Sequence, residues 1–359
     1  MSVMRVSWGP QHPASGQMRI ILDVDGDMVV NAIPSVGYTH RCIEKLAENR
    51  RYYQIVPLVE RVCNLDAFNA TLGYIQAVEE LMGLTIPERA QHIRVMMAEM
   101  GRIMSHLYWL AIYGIMPGFL TMIMWPIGDR ELFLDLAEMV TGCRVTYPYF
   151  MIGGVRADLP AGFAERATKT LNFFENRLKD YERMMYKNKI YEMRAKGIGV
   201  LKAADAINLG VVGPNLRGSG IKADTRKDEP YQAYDKFDFE IPTEERGDCD
   251  ARARVRFREI QQSISIIRQA LREMPEGPVQ VKAPLRPPAG EVYKKIEASR
   301  GEMGFYIISD GSDKPCRLKI SSPSFRNLAA LPFLGRGVTM ADIPVIYFSL
   351  DLFALDIDR

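Results

Sequence analysis

Residues Glu60 to Ala70 read ERVCNLDAFNA, and Cys63 stands three residues ahead of the position where a second thiolate would complete a Cys-x-x-Cys pair. That spacing lets two sulfurs reach one soft metal ion. Position 66 is Asp66 instead. The chain ends SLDLFALDIDR, Ser349 to Arg359, with Asp351, Asp356 and Asp358 ahead of Arg359. Taken alone, that stretch reads as a solvated acidic tail. The five cysteines, Cys42, Cys63, Cys143, Cys249 and Cys316, are scattered and form no Cys-x-x-Cys pair, which argues against a zinc or iron–sulfur site held by this chain alone. An odd, dispersed set fits a reducing compartment better than a disulfide framework. His40, His92 and His106 lack metal-ligand spacing, and His12 sits in a Gly/Pro loop where it either lines a cavity or bonds to backbone.

Composition narrows the possible chemistry. The 359 residues can bury a large core and suggest two or three structural units. With 46 Lys and Arg against 44 Asp and Glu there is no electrostatic footprint for nucleic acid. The N-terminus MSVMRVSWGPQHP has no apolar core of the kind a signal peptide needs. Between Arg102 and Asp129 no charged residue occurs, and Leu107 to Gly128 is long enough to span a bilayer. Gly114, Pro117, Gly118 and Pro126 interrupt it, so the expectation is a buried helix end followed by an apolar loop. The alternative is an apolar wall for a hydrophobic ligand or a membrane-embedded neighbour. Either leaves the chain itself soluble.

The elements that must position these residues fall into three parts: a β-rich region at 1–56, a helical bundle at 57–196 and an α+β region at 197–359. Residues 17–36 alternate apolar and polar about Asp25-Gly26-Asp27, a hairpin signal. Thr85-Ile-Pro-Glu88 carries capping-box spacing and predicts a helix to about Tyr113. Asp158-Leu-Pro predicts another that reaches past Tyr181, and a third is expected from about Arg246 to Met274. Beyond Glu291 short strands are expected. The fold class is α+β, mainly α.

Set side by side, RVCNLD and the C-terminal segment resemble the paired motifs of nickel–iron hydrogenase large subunits, Arg-x-Cys-x-x-Cys and Asp-Pro-Cys-x-x-Cys-x-x-His. They fall on Arg61, Cys63 and Asp66, and on Asp351, Leu352, Phe353, Asp356 and Arg359, so three of four metal thiolates and the terminal His are replaced. One thiolate with a Phe and two carboxylates cannot hold the same metals. Loss of that metal is the mark of the quinone-site subunit of respiratory complex I, which the chain resembles over nearly its whole length: GPQHPASG (9–16), GYTHRCIEKLAENR (37–50), IGGVRADLP (152–160), RGSGIKADTRK (217–227), IIRQAL (266–271), ASRGEMGFYIISDG (298–311) and SPSFRNL (322–328). The resemblance implies a hydrogenase-large-subunit-like fold and a peripheral subunit with no cofactor of its own. It implies a partner small subunit carrying a 4Fe-4S cluster, further peripheral-arm subunits, a membrane-arm subunit at the acceptor entrance, and a place on the cytoplasmic face of the cell membrane.

Family roles then map onto single residues. Arg41 matches the arginine beside the partner's cluster, and Tyr147 stands near the position of a cluster-side His. His12, Ser15, Gly16, Asn64 and Met116 map to the acceptor cavity, where Ser15, Asn64 and Met116 replace the His, Tyr and Asp that meet a quinone head group. Cys63, Asp66, Phe353 and Asp356 mark the former metal site, and Glu44 and Arg300 match buried charges around it, as a proton-handling network or a plain ion pair. A site stripped of His and Tyr suits a quinone less than it suits a phenazine, whose ring nitrogens lie in a wide apolar system. The resemblance therefore leans toward the branch that takes electrons from reduced coenzyme F(420) and delivers them to methanophenazine. Quinone-reducing, ferredoxin-linked or sulfur-reducing relatives, an active hydrogenase subunit and a purely structural scaffold are the alternatives.

Overall fold

The computed structural model describes residues 3–11, 17–116 and 118–359. At the N-terminus the alternation of Arg19–Asp25 becomes strand β2, flanked by β1 (Met4–Trp8) and β3 (Met28–Ser35) in an antiparallel sheet of order β1-β2-β3. Ile20, Leu22 and Val24 point into the core, and Gly26 makes the turn at φ +63°.

The central helices follow: α1 (Ile43–Ala47), α2 (Tyr52–Glu60), α3 (Ala67–Met82), α4 (Glu88–Ile115), α5 (Thr121–Thr141) and α6 (Phe163–Tyr186). The division expected after residue 56 falls inside α2. From Ala67 to Glu79 every residue of α3 is buried, so this helix is packed on all sides. Within the uncharged run α4 ends at Ile115 and α5 begins at Thr121, and Gly114 and Pro126 lie inside these helices; Pro117 lies outside the described residues. Gly114 is needed where the two helices meet, because a Cβ there would come within 2.4 Å of the Cβ of Met122. No helix among the described residues is long and apolar enough to cross a membrane. Two starts differ from the expected ones. Helix α4 begins at Glu88, after Pro87 and without a side-chain cap from Thr85. Helix α6 begins at Phe163 and not Asp158, because Gly162 at φ +78° holds the chain out of the helix until then. Thereafter Phe163, Ala167, Leu171, Phe174, Leu178, Tyr181 and Met185 form one buried stripe at helical spacing.

Between β4 (Phe150–Met151) and β5 (Gly154–Val155), a short hairpin, and the long α11, the chain winds through α7 (Lys189–Ala195), α8 (Ala203–Asn208), α9 (Pro214–Arg217) and α10 (Thr225–Asp228). Helix α11 (Cys249–Arg272) starts where Asp248 accepts the N–H of Ala251 at 2.7 Å, and it packs against α4. Strands β6 (Ala289–Ala298), β7 (Gly301–Asp310) and β8 (Arg317–Ser321) form a second antiparallel sheet over α3. The expectation of strands beyond Glu291 holds only this far. Pro323 and Pro344 sit in the first turns of α12 (Pro323–Leu328) and α14 (Ile343–Leu350), with α13 (Ala330–Leu334) between and α15 (Ala354–Asp358) last. One buried apolar cluster extends from Met18 to Ile357 and joins all three regions.

Candidate functional site

Cys63 follows the end of α2, and a single 3₁₀ turn, Asn64–Asp66, leads into α3. The turn aims Cys63 and Asp66 at the tight bend between β6 and β7, where Ser299 and Arg300 lie. Asp66 accepts the Ser299 N–H and the Asn69 side-chain amide, both at 2.7 Å. From the other end of the chain Asp356 arrives on α15 and accepts the Ser324 hydroxyl at 2.6 Å. These residues enclose a void of about 10 Å³, the lower limit for one water molecule. What closes it is Arg300, whose Nη1 lies 3.3 Å from Cys63 Sγ and 3.3 Å from Ser105 Oγ. Burial pushes the Cys63 thiol far above its usual range despite this guanidinium, and burial also raises the Asp356 carboxyl. Among the described residues no three His, Cys, Asp or Glu side chains converge as metal ligands.

Arg300 has a second face. Its Nη2 donates to Asp351 Oδ1 (3.1 Å), its Nε donates to the Asp351 carbonyl (3.2 Å), and its guanidinium lies 4.9 Å from the ring centre of Phe353. That face borders a cavity of about 110 Å³ lined by Tyr108, Trp109, Ile112, Phe348, Asp351, Leu352 and Phe353. Asp351 ends α14 in the left-handed conformation, φ +54°, and its buried Oδ2 has no hydrogen-bond partner among the described residues. Trp109 forms a fixed wall. It stacks on Tyr113 at 4.9 Å, donates to the Phe348 carbonyl at 2.7 Å and carries the Arg256 guanidinium at 4.8 Å. Burial draws the Arg256 pKa down to about 10, and this arginine has no carboxylate ion pair among the described residues. The cavity is thus largely aromatic, with the Arg300 guanidinium and the Asp351 carboxylate at its edge.

The residues expected at the site are brought together only in part. Cys63, Asp66, Asp356 and Arg300 converge, and Phe353 lies across Arg300 from them. Asn64 is half-buried, its Oδ1 without a partner among the described residues, and Met116 caps α4 at the edge of the core. His12, Ser15 and Gly16 lie outside the described residues. Arg41 is half-buried, bonds the Leu355 carbonyl at 3.4 Å and is drawn below the ordinary arginine range by burial, against the opposing pull of Asp358. Tyr147 is fully enclosed by this chain: it stacks on Phe68 at 4.2 Å, donates to the Arg144 carbonyl at 2.9 Å, and burial raises its hydroxyl to about 12.

The C-terminal segment packs against the site as the paired motifs imply: Asp358 accepts the N–H groups of Gly37 and Thr39 at 2.7 and 2.8 Å and the Thr39 hydroxyl at 2.8 Å, and so locks the 37–41 loop onto α15. One expectation is corrected. Glu44 and Arg300 belong to separate clusters. Glu44 rides on α1, which packs on β8, so it meets Arg317 and Lys319 of that strand and Arg359; Arg300 meets Asp351.

Sequence reasoning gave no role to the charges of RGSGIKADTRK. Lys222 and Lys227 are exposed, but Arg217, Asp224 and Arg226 enter a fully buried network: Arg217 holds Glu259 (2.7 Å) and Glu297 (2.8 Å), Arg226 holds Asp224 (2.7 Å) and Glu99 (3.1 Å), and His106 Nε2 lies 3.0 Å from Glu259. Burial lowers the His106 pKa, against the opposing pull of Glu259. The only signal was charge inside a Gly-rich stretch, which reads equally as a solvated loop.

The geometry can now be set beside known proteins. The family described as "Respiratory-chain NADH dehydrogenase, 49 Kd subunit" matches residues 117–287 and 280–359. The D-type subunit of the NADH-quinone oxidoreductase of Carboxydothermus hydrogenoformans is 46% identical over 356 residues, 98% of each chain. Its counterpart in the F(420)H(2) dehydrogenase of Methanosarcina mazei is 45% identical over 365 residues, covering 99% of this chain and 98% of its own. A chain in the structure of the membrane-bound sulfane sulfur reductase, an archaeal respiratory membrane complex, superposes with a TM-score of 0.96 at 39% identity over 99% of this chain and 98% of that one. On these grounds the chain belongs to the 49 kDa, D-type subunit family of the respiratory-chain NADH dehydrogenase.

Proposed function

We propose that this chain is the metal-free subunit of a membrane-bound, complex I-like oxidoreductase. Together with a small subunit carrying a 4Fe-4S cluster, it shapes the cavity where electrons reduce a lipid-soluble acceptor, at the cytoplasmic face of the membrane and in step with ion translocation. The observation that carries this reading is Arg300, which occupies the space between Cys63, Asp66 and Asp356 and turns its other face to the aromatic cavity. A fixed cation stabilises charge that develops on an acceptor ring as it is reduced, most strongly where water is excluded. Asp351, whose Oδ2 has no partner among the described residues, offers an acceptor for a ring N–H or O–H.

Methanophenazine is the favoured acceptor. Asn64 donates a hydrogen bond but gives up no proton near neutrality, and Met116 adds only apolar surface. Quinone is the second reading, favoured by a quinone oxidoreductase relative as similar as the F(420)H(2) dehydrogenase one. Steady-state rates of the purified complex with a phenazine analogue and a short-chain ubiquinone separate them. The phenazine is expected to react much faster, Asn64→Tyr is expected to narrow the gap slightly, and the combined Ser15→His, Asn64→Tyr, Met116→Asp change is expected to narrow it further. Equal wild-type efficiency with ubiquinone would overturn the phenazine assignment.

A further inference from the structure

An apolar recess that shares no lining residue with the aromatic cavity beside Arg300 opens on another part of the chain. It measures about 430 Å³ and is walled by Tyr53, Val56 and Pro57 of α2, by Phe150 and Met151 of the β4–β5 hairpin, and by Leu285 of the Pro-rich connector ahead of β6. Its shape is fixed from two sides. Below, the buried Arg94–Glu79 pair (2.6 Å) pins the hairpin: Glu79 accepts the Gly153 N–H at 2.8 Å, and Arg94 donates to the carbonyls of Met151 and Gly154 at 2.7 and 2.9 Å. Above, the connector is strapped to it, with Val155 N–H donating to Val279 O (2.9 Å) and Val281 N–H to Gly153 O (2.8 Å). The two glycines of the IGG motif make this possible, since a Cβ on Gly154 would lie 2.2 Å from Val279 O and one on Gly153 would lie 2.4 Å from Val281 O. The motif therefore builds the recess.

The rim is apolar and open to water: Leu285 is 75% exposed, Tyr53 48% and Met151 42%. One exposed cation, Arg156, is on the lining, and the exposed Lys282 and Arg286 adjoin the lining stretch Ala283 to Leu285 in the chain; none of the three has an ion-pair partner among the described residues. A rigid apolar pocket with an uncompensated basic rim fits an aromatic or aliphatic anchor flanked by carboxylates. We infer that this recess is a docking socket for such an acidic, apolar-anchored segment of another polypeptide of the complex. The inference is independent of which acceptor is reduced.

The test uses the assembled complex with photo-reactive p-benzoylphenylalanine at position 285. Irradiation is expected to join it to one stretch of one neighbouring subunit that carries an aromatic or aliphatic residue between acidic ones. Arg156→Glu with Lys282→Glu is expected to lower the yield of assembled complex at least roughly tenfold, and reversing the acids of the cross-linked stretch to Lys is expected to restore it. The inference is overturned by adducts to lipid alone, by no protein adduct, by an adduct to a basic stretch, by wild-type assembly of the double variant, or by failure of the charge swap to restore it.

Discussion

Arg300→Met tests whether one guanidinium holds the former metal site together. Methionine keeps much of the stem and its apolar contacts while removing the donors to Asp351 Oδ1 (3.1 Å), Asp351 O (3.2 Å), Ser105 Oγ (3.3 Å) and Cys63 Sγ (3.3 Å). Asp351, whose Oδ2 already lacks a partner, is then left as a buried and unpaired carboxylate. Removing one member of a buried pair costs about 3–5 kcal/mol, and the lost contact with the Phe353 face adds about 1 kcal/mol. Adding Asp351→Asn removes the stranded charge and should recover about 2 kcal/mol of this. Arg300→Lys keeps the charge but loses the fork that reaches Oδ1 and the backbone carbonyl of Asp351, at a cost of about 1–2 kcal/mol. Urea unfolding followed by tryptophan fluorescence measures all of these, with Trp109 in the same cavity as a local reporter. An Arg300→Met variant within about 1 kcal/mol of wild type, or a double variant no more stable than the single one, would refute the reasoning.

Glu60 is buried beside Arg61, and burial raises its carboxyl to about 7. Because the folded-state pKa lies above the unfolded one, ionisation costs stability as pH rises through this range; Glu60→Gln should therefore stabilise by about 1–3 kcal/mol at pH 8 and by nothing below pH ~4, which melting curves across pH will show. Gly154→Ala, at φ +151° and with a Cβ 2.2 Å from Val279 O, should displace the connector and speed proteolytic cleavage at 279–287; unchanged cleavage kinetics would count against the strap. Arg41→Met in the assembled complex should lower the potential of the partner's cluster and slow acceptor reduction without loss of subunits, so an unchanged potential argues against the placement of Arg41. Reconstitution of the chain alone with nickel, or with iron and sulfide, should leave no stoichiometric metal; one metal or cluster per chain, by elemental analysis, would contradict the reading of Cys63 as a buried core thiol.

Local periodicity carried much of the fold. The alternation on either side of Gly26, the apolar stripe from Phe163 to Met185 and the long α4 and α11 are legible because each repeats with the period of its own backbone. Their starts were less so, since Gly162 and Pro87 act through backbone geometry and not through a polar cap. Motif order, too, was enough to bring Cys63, Asp66, Arg300 and Asp356 to one place. Local pattern could not decide which way a long side chain turns once it arrives. Arg300 and Glu44 both lie in motifs expected around the Cys63 site, yet one fills it and the other faces β8, because α1 packs on that strand while the β6–β7 bend points inward. The acidic C-terminus reads as solvent-exposed until the 37–41 loop is folded over it and supplies N–H donors to Asp358. Likewise, the left-handed Asp351 with its Oδ2 unpartnered among the described residues, the cation over Trp109 and the buried network of RGSGIKADTRK come from contacts between segments far apart in the chain. The periodic elements, and the single Cys63 where a Cys-x-x-Cys pair would carry two thiolates, are thus written in the order of residues alone. Which charges became buried and paired was settled by packing between distant segments, because the cost of burying a charge depends on partners that its own stretch of chain does not contain.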